Sequence, residues 1–177
     1  MSLPPIIETG RLVLRPPRTD DAEAVFNSYA TDEEVARYMT WGPHTSIAET
    51  EEFLRRTVAS TEGGTNLTWA VTLRGDDTLR GMIAMRPHGY KADAGYVLAR
   101  PFWGRGYATE ALRAVIDFAF RNPEMYRVWA VCDVANVASA RVMEKAGMSF
   151  EGVLRRYQIH PNISPEPRDA RCYARVR

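Results

Sequence analysis

The sequence predicts a mixed-sheet α/β (α+β) domain, and three observations predict it. Leu67, Trp69, Val71 and Leu73, then Leu79, Gly81, Ile83 and Met85, alternate with polar or small residues around the turn Arg74-Gly75-Asp76-Asp77, the pattern of an antiparallel hairpin. Apolar residues at helical spacing flank that hairpin on both sides in the chain. Residues 127–132 are almost continuously apolar, which suits a strand buried on both faces. Strands interleaved with helices, plus one hairpin, make a mixed sheet with helices on both faces. A chain of 177 residues fits one domain, 1–177, with no internal repeat.

The elements follow in order. Arg11-Leu12-Val13-Leu14-Arg15 is a short strand stopped by Pro16-Pro17. Asp20 followed by Glu23 has the form of a capping box for a helix carrying Ala22, Val25, Phe26 and Tyr29. A helical turn covers 32–38, and Ser46 with Glu49 repeats the capping signature before Phe53, Leu54, Thr57 and Val58. After the hairpin comes a strand over 93–98, then a glycine-rich loop and a helix with Ala108, Ala111, Leu112, Val115 and Ala119 on one face. The strand 127–132 leads to a helix over 136–146, capped by Gly147. Strands over 153–159 and 170–176 close the chain around a proline-rich connection, 161–167, for a total of six to seven strands.

Composition excludes several function classes. The 23 basic and 22 acidic residues leave a net charge of +1, which argues against a surface built to grip nucleic acid or an anionic membrane. With 45% hydrophobic and 25% charged residues the chain is far from disorder. No apolar run approaches the ~20 residues of a membrane span. The start, MSLPPIIETGR, lacks the basic leader and apolar stretch of a secretory signal. Cys132 and Cys172 form neither a CxxC pair nor a disulfide framework, and His44, His88 and His160 lack zinc-ligand spacing. These features predict a soluble cytoplasmic protein without a metal.

Trp103-Gly104-Arg105-Gly106-Tyr107-Ala108-Thr109-Glu110-Ala111 runs from a strand into a helix. Glycines let backbone amides approach a ligand, and a helix start offers unpaired N–H groups at the positive end of the dipole. Such a segment suits a phosphate, or else is simply a tight strand-to-helix turn. It is not a P-loop, because no lysine follows the glycines, nor a dinucleotide fingerprint, because position 109 is threonine.

Together with Gly95-Tyr96-Val97-Leu98 and Pro101-Phe102, that segment closely resembles the acetyl-CoA signature of the GNAT superfamily of N-acetyltransferases. Asn136-Val-Ala-Ser139-Ala-Arg-Val-Met-Glu144-Lys-Ala-Gly147-Met-Ser-Phe150 resembles its second signature, and Glu8-Thr9-Gly10-Arg11-Leu12-Val13-Leu14-Arg15 resembles the ribosomal-protein (alanine/serine) branch. Trp103 stands where the superfamily usually has Gln or Arg. The resemblance implies a sheet whose two adjacent parallel strands, 93–98 and 127–132, splay apart around acetyl-CoA, which serves as co-substrate. Val97, Leu98 and Ala99 would pair with the pantetheine arm through their backbone. The segment Trp103, Gly104, Arg105, Gly106, Tyr107, Ala108 and Thr109 would hold the pyrophosphate, and Asn136 and Ser139 would face the arm from the other side. Asn136 is equally a good helix cap.

The implied reaction is attack of an amine on a thioester. Ser139 is the candidate proton donor to the departing thiolate, with no tyrosine evident in sequence for that task. Asp93 is the candidate base, or a carboxylate at a strand start; His88 and His160 are alternatives. An α-amine (~7.7–8.0) is far more often neutral near pH 7 than a lysine (~10.4), so a protein N-terminus is the expected acceptor. The alternatives are a polyamine or an aminoglycoside-like antibiotic, or a non-catalytic acyl-CoA sensor. Tyr38, Trp41, Trp69, Tyr90 and Tyr157 are candidates to line the acceptor cleft. Pairing into a homodimer would involve the strand around Cys172-Tyr173-Ala174.

Overall fold

The computed structural model describes residues 4–177, so the expectation about a leader at residues 1–3 lies outside it. Two short strands, β1 (Ile7–Glu8) and β2 (Leu12–Arg15), precede α1 (Ala22–Val25), which runs on as a π-helical turn, Phe26–Ala30. Then come α2 (Glu33–Ala36), α3 (Ile47–Glu62), the hairpin β3 (Leu67–Leu73) and β4 (Asp76–His88), and β5 (Lys91–Leu98). The second half holds α4 (Tyr107–Ala119), β6 (Arg127–Asp133), α5 (Val137–Lys145), β7 (Ser149–His160) and β8 (Ser164–Val176). The eight strands form one sheet in the order β1-β2-β3-β4-β5-β6-β8-β7, in which β5 and β6 are the parallel pair.

Strand alternation divides the core between the faces of the sheet. Trp69, Val71, Ile83 and Met85 pack with Leu112, Val115 and Ile116 of α4 and Met143 of α5. Ala70, Leu79 and Met82 point the other way, against Val25, Tyr29 and Leu54 beneath α1 and α3. Each face is closed by its own helices, as the sequence predicts.

The parallel pair positions the site. β5 and β6 are in register only at Lys91↔Arg127, Ala92↔Val128 and Asp93↔Trp129. Beyond that rung β5 stays paired to β4 as far as Gly81↔Leu98, and β6 to β8 as far as Asp133↔Ala170. Each strand keeps its outer neighbour while the inner edges part, so an opening runs through the sheet.

Several expectations are corrected. The box before α1 lies two residues earlier, with Arg18 as N-cap and Asp21 three residues on: Asp21 Oδ2 accepts the Arg18 N–H at 2.8 Å, while Asp20 and Glu23 are exposed. Asp21 wins because its carboxylate also grips the buried Arg15 guanidinium at 2.6 and 2.9 Å. The closing strands are longer than predicted, and only 161–163 form the turn between them. Pro165 and Pro167 lie inside β8, in a stretch that precedes its pairing to β6 at Ala170, so their missing N–H groups break no ladder on that side. The described residues hold eight strands; β1 was not foreseen. Cys172, Tyr173 and Ala174 are enclosed between β6 and β7 and are 8%, 2% and 4% exposed, so they form no outer contact surface. Among the described residues no helix is long and apolar enough to cross a membrane.

Candidate active site

The glycine loop has the geometry its composition predicts. Gly104 and Gly106 sit at φ 72° and 80°, the left-handed region that favours glycine, and Gly106 is the N-cap of α4. No side chain caps that helix, so the N–H groups of its first turn are left for a ligand. Arg11 folds over the loop: it donates to the Arg105 carbonyl at 2.9 Å, pairs with Glu110 at 2.6 Å, and lies 4.6 Å from the Tyr107 ring centre. Arg105 itself is exposed beside Phe102. Thr109 borders a depression with Arg11, Glu110, Arg113 and Lys145, three cations against one carboxylate at the helix start. Ala108 packs against the core on α4's first turn. The Trp103 indole N–H reaches back to the Leu98 carbonyl at 2.7 Å and ties the loop to β5.

Strand geometry decides which backbone groups face the opening. Ala99 donates its N–H to the Arg80 carbonyl at 2.8 Å, and the Val97 carbonyl is turned toward Gly81, so both belong to the β4 side. Backbone polar groups alternate sides along a strand, which directs those of Tyr96 and Leu98 to the gap. The backbone groups of Val97 and Ala99, expected at the gap, thus face β4, and the gap side of β5 is left to Tyr96 and Leu98. The Val97 side chain lines the cleft instead.

Across the gap, Asn136 caps α5 by accepting the Ser139 N–H at 3.1 Å. The Ser139 hydroxyl lies 2.8 Å from the Tyr96 hydroxyl, which is also 3.1 Å from the Ser139 carbonyl. Burial pushes the Tyr96 phenol far above the usual tyrosine range, so it stays protonated and can donate. The sequence held a signal for this residue: alternation from Asp93 puts Tyr96 on the opposite face, toward the α5 start. Burial likewise pushes the neighbouring Cys132 thiol up to about 11, which keeps it from acting as a nucleophile.

On the α1/α3 face a cleft of about 1070 Å³ opens beside the same gap. Tyr38, Trp41, Tyr157, His88 and Trp129 are among its walls, whereas Trp69 is sealed in the opposite core and Tyr90 sits exposed on the β4–β5 turn. Asp93 stands at its edge with both oxygens engaged: Oδ2 with Arg86 (Nε at 2.7 Å, and Nη2), and Oδ1 with His88 Nε2 at 2.9 Å. Arg86 is opposite Asp93 in the hairpin register, a pairing the sequence did not reveal. The other carboxylate in the walls, Asp133, is fully buried. Burial alone would raise it, but Arg168 at 2.6 Å and the Ala135 N–H at 2.8 Å hold it below the usual carboxylate range. His160, 4% exposed, is 3.9 Å from Asp133. Among the described residues no group of His, Cys, Asp and Glu side chains clusters as metal ligands do.

This geometry has counterparts. The profile of the family described as "Acetyltransferase (GNAT) domain" matches residues 11–149. The chain is 31% identical over 176 residues to the uncharacterized N-acetyltransferase YoaA of Bacillus subtilis (strain 168), covering 98% of this chain and 97% of that protein. The crystal structure of a GNAT-family acetyltransferase from Bacillus anthracis superposes with a TM-score of 0.84 at 30% identity, covering 97% and 98% of the two chains. RimL, described as a ribosomal L7/L12 alpha-N-protein acetyltransferase in complex with coenzyme A, shares the fold with a TM-score of 0.84 at 21% identity over 97% and 98%.

Proposed function

Because this chain belongs to the GNAT family and is an acetyl-CoA-dependent N-acetyltransferase, we propose that its acceptor is a protein N-terminal α-amino group. The observation that carries this is the two-sided opening between β5 and β6. Tyr96 and Ser139 border it from the α4/α5 side, and the Asp93 cleft borders it from the other. A thioester seated in that gap is open to an amine from the cleft and to a proton donor at its sulfur. The uncapped α4 amides, the glycines at 104 and 106 and the basic depression beside them fit the phosphates of acetyl-CoA. The open edge of β5, through the backbone of Tyr96 and the N–H of Leu98, fits its arm.

Each catalytic need then has a group. A backbone N–H on the gap edge of β5 polarises the acetyl carbonyl. Ser139, hydrogen-bonded to the protonated Tyr96, hands a proton to the departing thiolate. The cluster of Asp93, Arg86 and His88 faces the incoming amine. A sensor without turnover would not need a Tyr96–Ser139 donor pair, which supports catalysis.

The acceptor class follows from charge. Both carboxylates in the cleft walls are taken by arginine, Asp93 by Arg86 and Asp133 by Arg168. A polyamine or aminoglycoside would enter without a free carboxylate to meet it, whereas an α-amine on a neutral peptide backbone needs none. The RimL description is consistent with that acceptor. The test is intact-mass detection of acetylation on Ser- and Ala-starting peptides against spermidine and an aminoglycoside. Peptide acetylation at the α-amine supports the proposal; exclusive modification of the polycations ends it.

A further inference from the structure

We propose that His88 takes the proton from the incoming ammonium and that Asp93 is its positioning residue; this rests on the acetyltransferase reading above. Both oxygens of Asp93 are already occupied, by Arg86 and His88, so a substrate proton could reach that carboxylate only by displacing a guanidinium or an imidazole. His88 has no such obstruction. A carboxylate only accepts, so the hydrogen between His88 Nε2 and Asp93 Oδ1 sits on Nε2, and in the neutral ring the Nδ1 lone pair is left to accept.

The ring is held on a second side as well. Its centre is 5.6 Å from that of Trp129, with the planes 35° apart. Asp93 and Trp129 are the last rung of the parallel pair before the strands part, and Arg86 faces Asp93 across the hairpin. Three neighbouring strands thus place the imidazole on the α1/α3 face, beside the mouth of the gap. At 53% side-chain exposure His88 can also pass the proton on to water.

Other charged and titratable groups surround this position. Arg86 lies on the same strand and Asp93 on β5, and Lys91 Nζ is 5.7 Å from the centre of the Trp129 ring. Arg156, Tyr157 and His160 line the cleft from β7, and Cys132 and Asp133 from β6. Of these, Asp93 is the one bonded to the imidazole.

The step balances without another reactant. His88 Nδ1 takes one proton from the ammonium, and the freed lone pair forms the C–N bond to the thioester carbon. The C–S bond breaks, and the sulfur takes a proton from the Tyr96–Ser139 pair. The new amide nitrogen sheds its extra proton to restore that pair, and His88 releases its own to water.

The test measures thiol release from acetyl-CoA with Ser- and Ala-starting peptide amides and spermidine, for wild type, His88→Asn, Asp93→Asn and the double variant, from pH 6 to 9.5. His88→Asn is expected to lower kcat/KM by ~10²-fold near pH 7, with the deficit shrinking toward unity above the α-amine pKa of ~8, while calorimetric acetyl-CoA affinity is unchanged. Asp93→Asn is expected to cost less, and to add nothing once His88 is gone. A wild-type to His88→Asn ratio that does not vary with pH would overturn the proposal, as would an Asp93→Asn cost that persists in the double variant. Wild-type protein that binds acetyl-CoA and acetylates none of the amines would instead overturn the acetyltransferase reading, and this assignment with it.

Discussion

Removing the Ser139 hydroxyl leaves the Tyr96 hydroxyl with the Ser139 carbonyl as its remaining partner. Ser139→Ala is therefore expected to lower kcat by at most ~10²–10⁴-fold while acetyl-CoA affinity stays near wild type. Tyr96→Phe should act on the same step, so the double variant should be little worse than the more damaging single one; additive losses in thiol-release rates would mean that the two act separately. Ser139 was legible in the sequence because it lies one helical turn after Asn136 in a recognisable signature. Tyr96 was quoted in the other signature without a catalytic role. Its role depends on β5 and α5 meeting across the gap, 43 positions apart in the chain. Arg86 escaped for a similar reason, since its partner is set by hairpin register.

Local elements were the most legible part of the chain, and their errors have physical causes. Capping by Ser46 and the start of α4 at the glycine loop follow from side-chain and backbone chemistry within four residues. The Asp20–Glu23 box failed because Arg15, a buried guanidinium on a neighbouring strand, holds Asp21 in place to close a box that starts at Arg18. That network gives a test at this scale. Asp21→Ala would leave the buried Arg15 charge with Asp77 alone, and should destabilise the fold by ~3–5 kcal/mol, the cost of breaking a buried pair. Urea denaturation would read it. The loop gives another. Gly106→Val puts a branched side chain at φ 80° with its Cβ 3.4 Å from the Arg11 guanidinium, so calorimetry should show acetyl-CoA binding severely weakened. Near-wild-type affinity would mean that the α4 amides do not hold the phosphates.

At the scale of the whole molecule, ion pairs link segments remote in sequence, and four of their carboxylates are shifted downward. Arg168 on β8 and the Ala135 N–H hold Asp133 low despite burial, and Thr9 and Arg11 near β2 do the same for Glu110 on α4. Arg15 lowers Asp77, and Arg127 lowers Glu151. A carboxylate whose folded pKa lies below its unfolded value of ~4 contributes stability above that value, and loses it as pH falls toward the folded one. The melting temperature should therefore be nearly level from pH 7 to 5 and decline below about pH 4. The contributions are unequal. Asp77 is 61% exposed and its pairs are screened by solvent, whereas Asp133 is 0% exposed and should dominate. Asp133→Asn is thus expected to lower the melting temperature at pH 7 and to flatten the acid decline, so that the gap to wild type narrows as pH falls from 5 to 3. Asp77→Asn should leave both the plateau and the slope nearly unchanged. Parallel acid limbs for wild type and Asp133→Asn would show that the buried carboxylate is not what couples β6 to β8 in acid, and would move that role to Glu110 and the contact between the β1–β2 turn and α4.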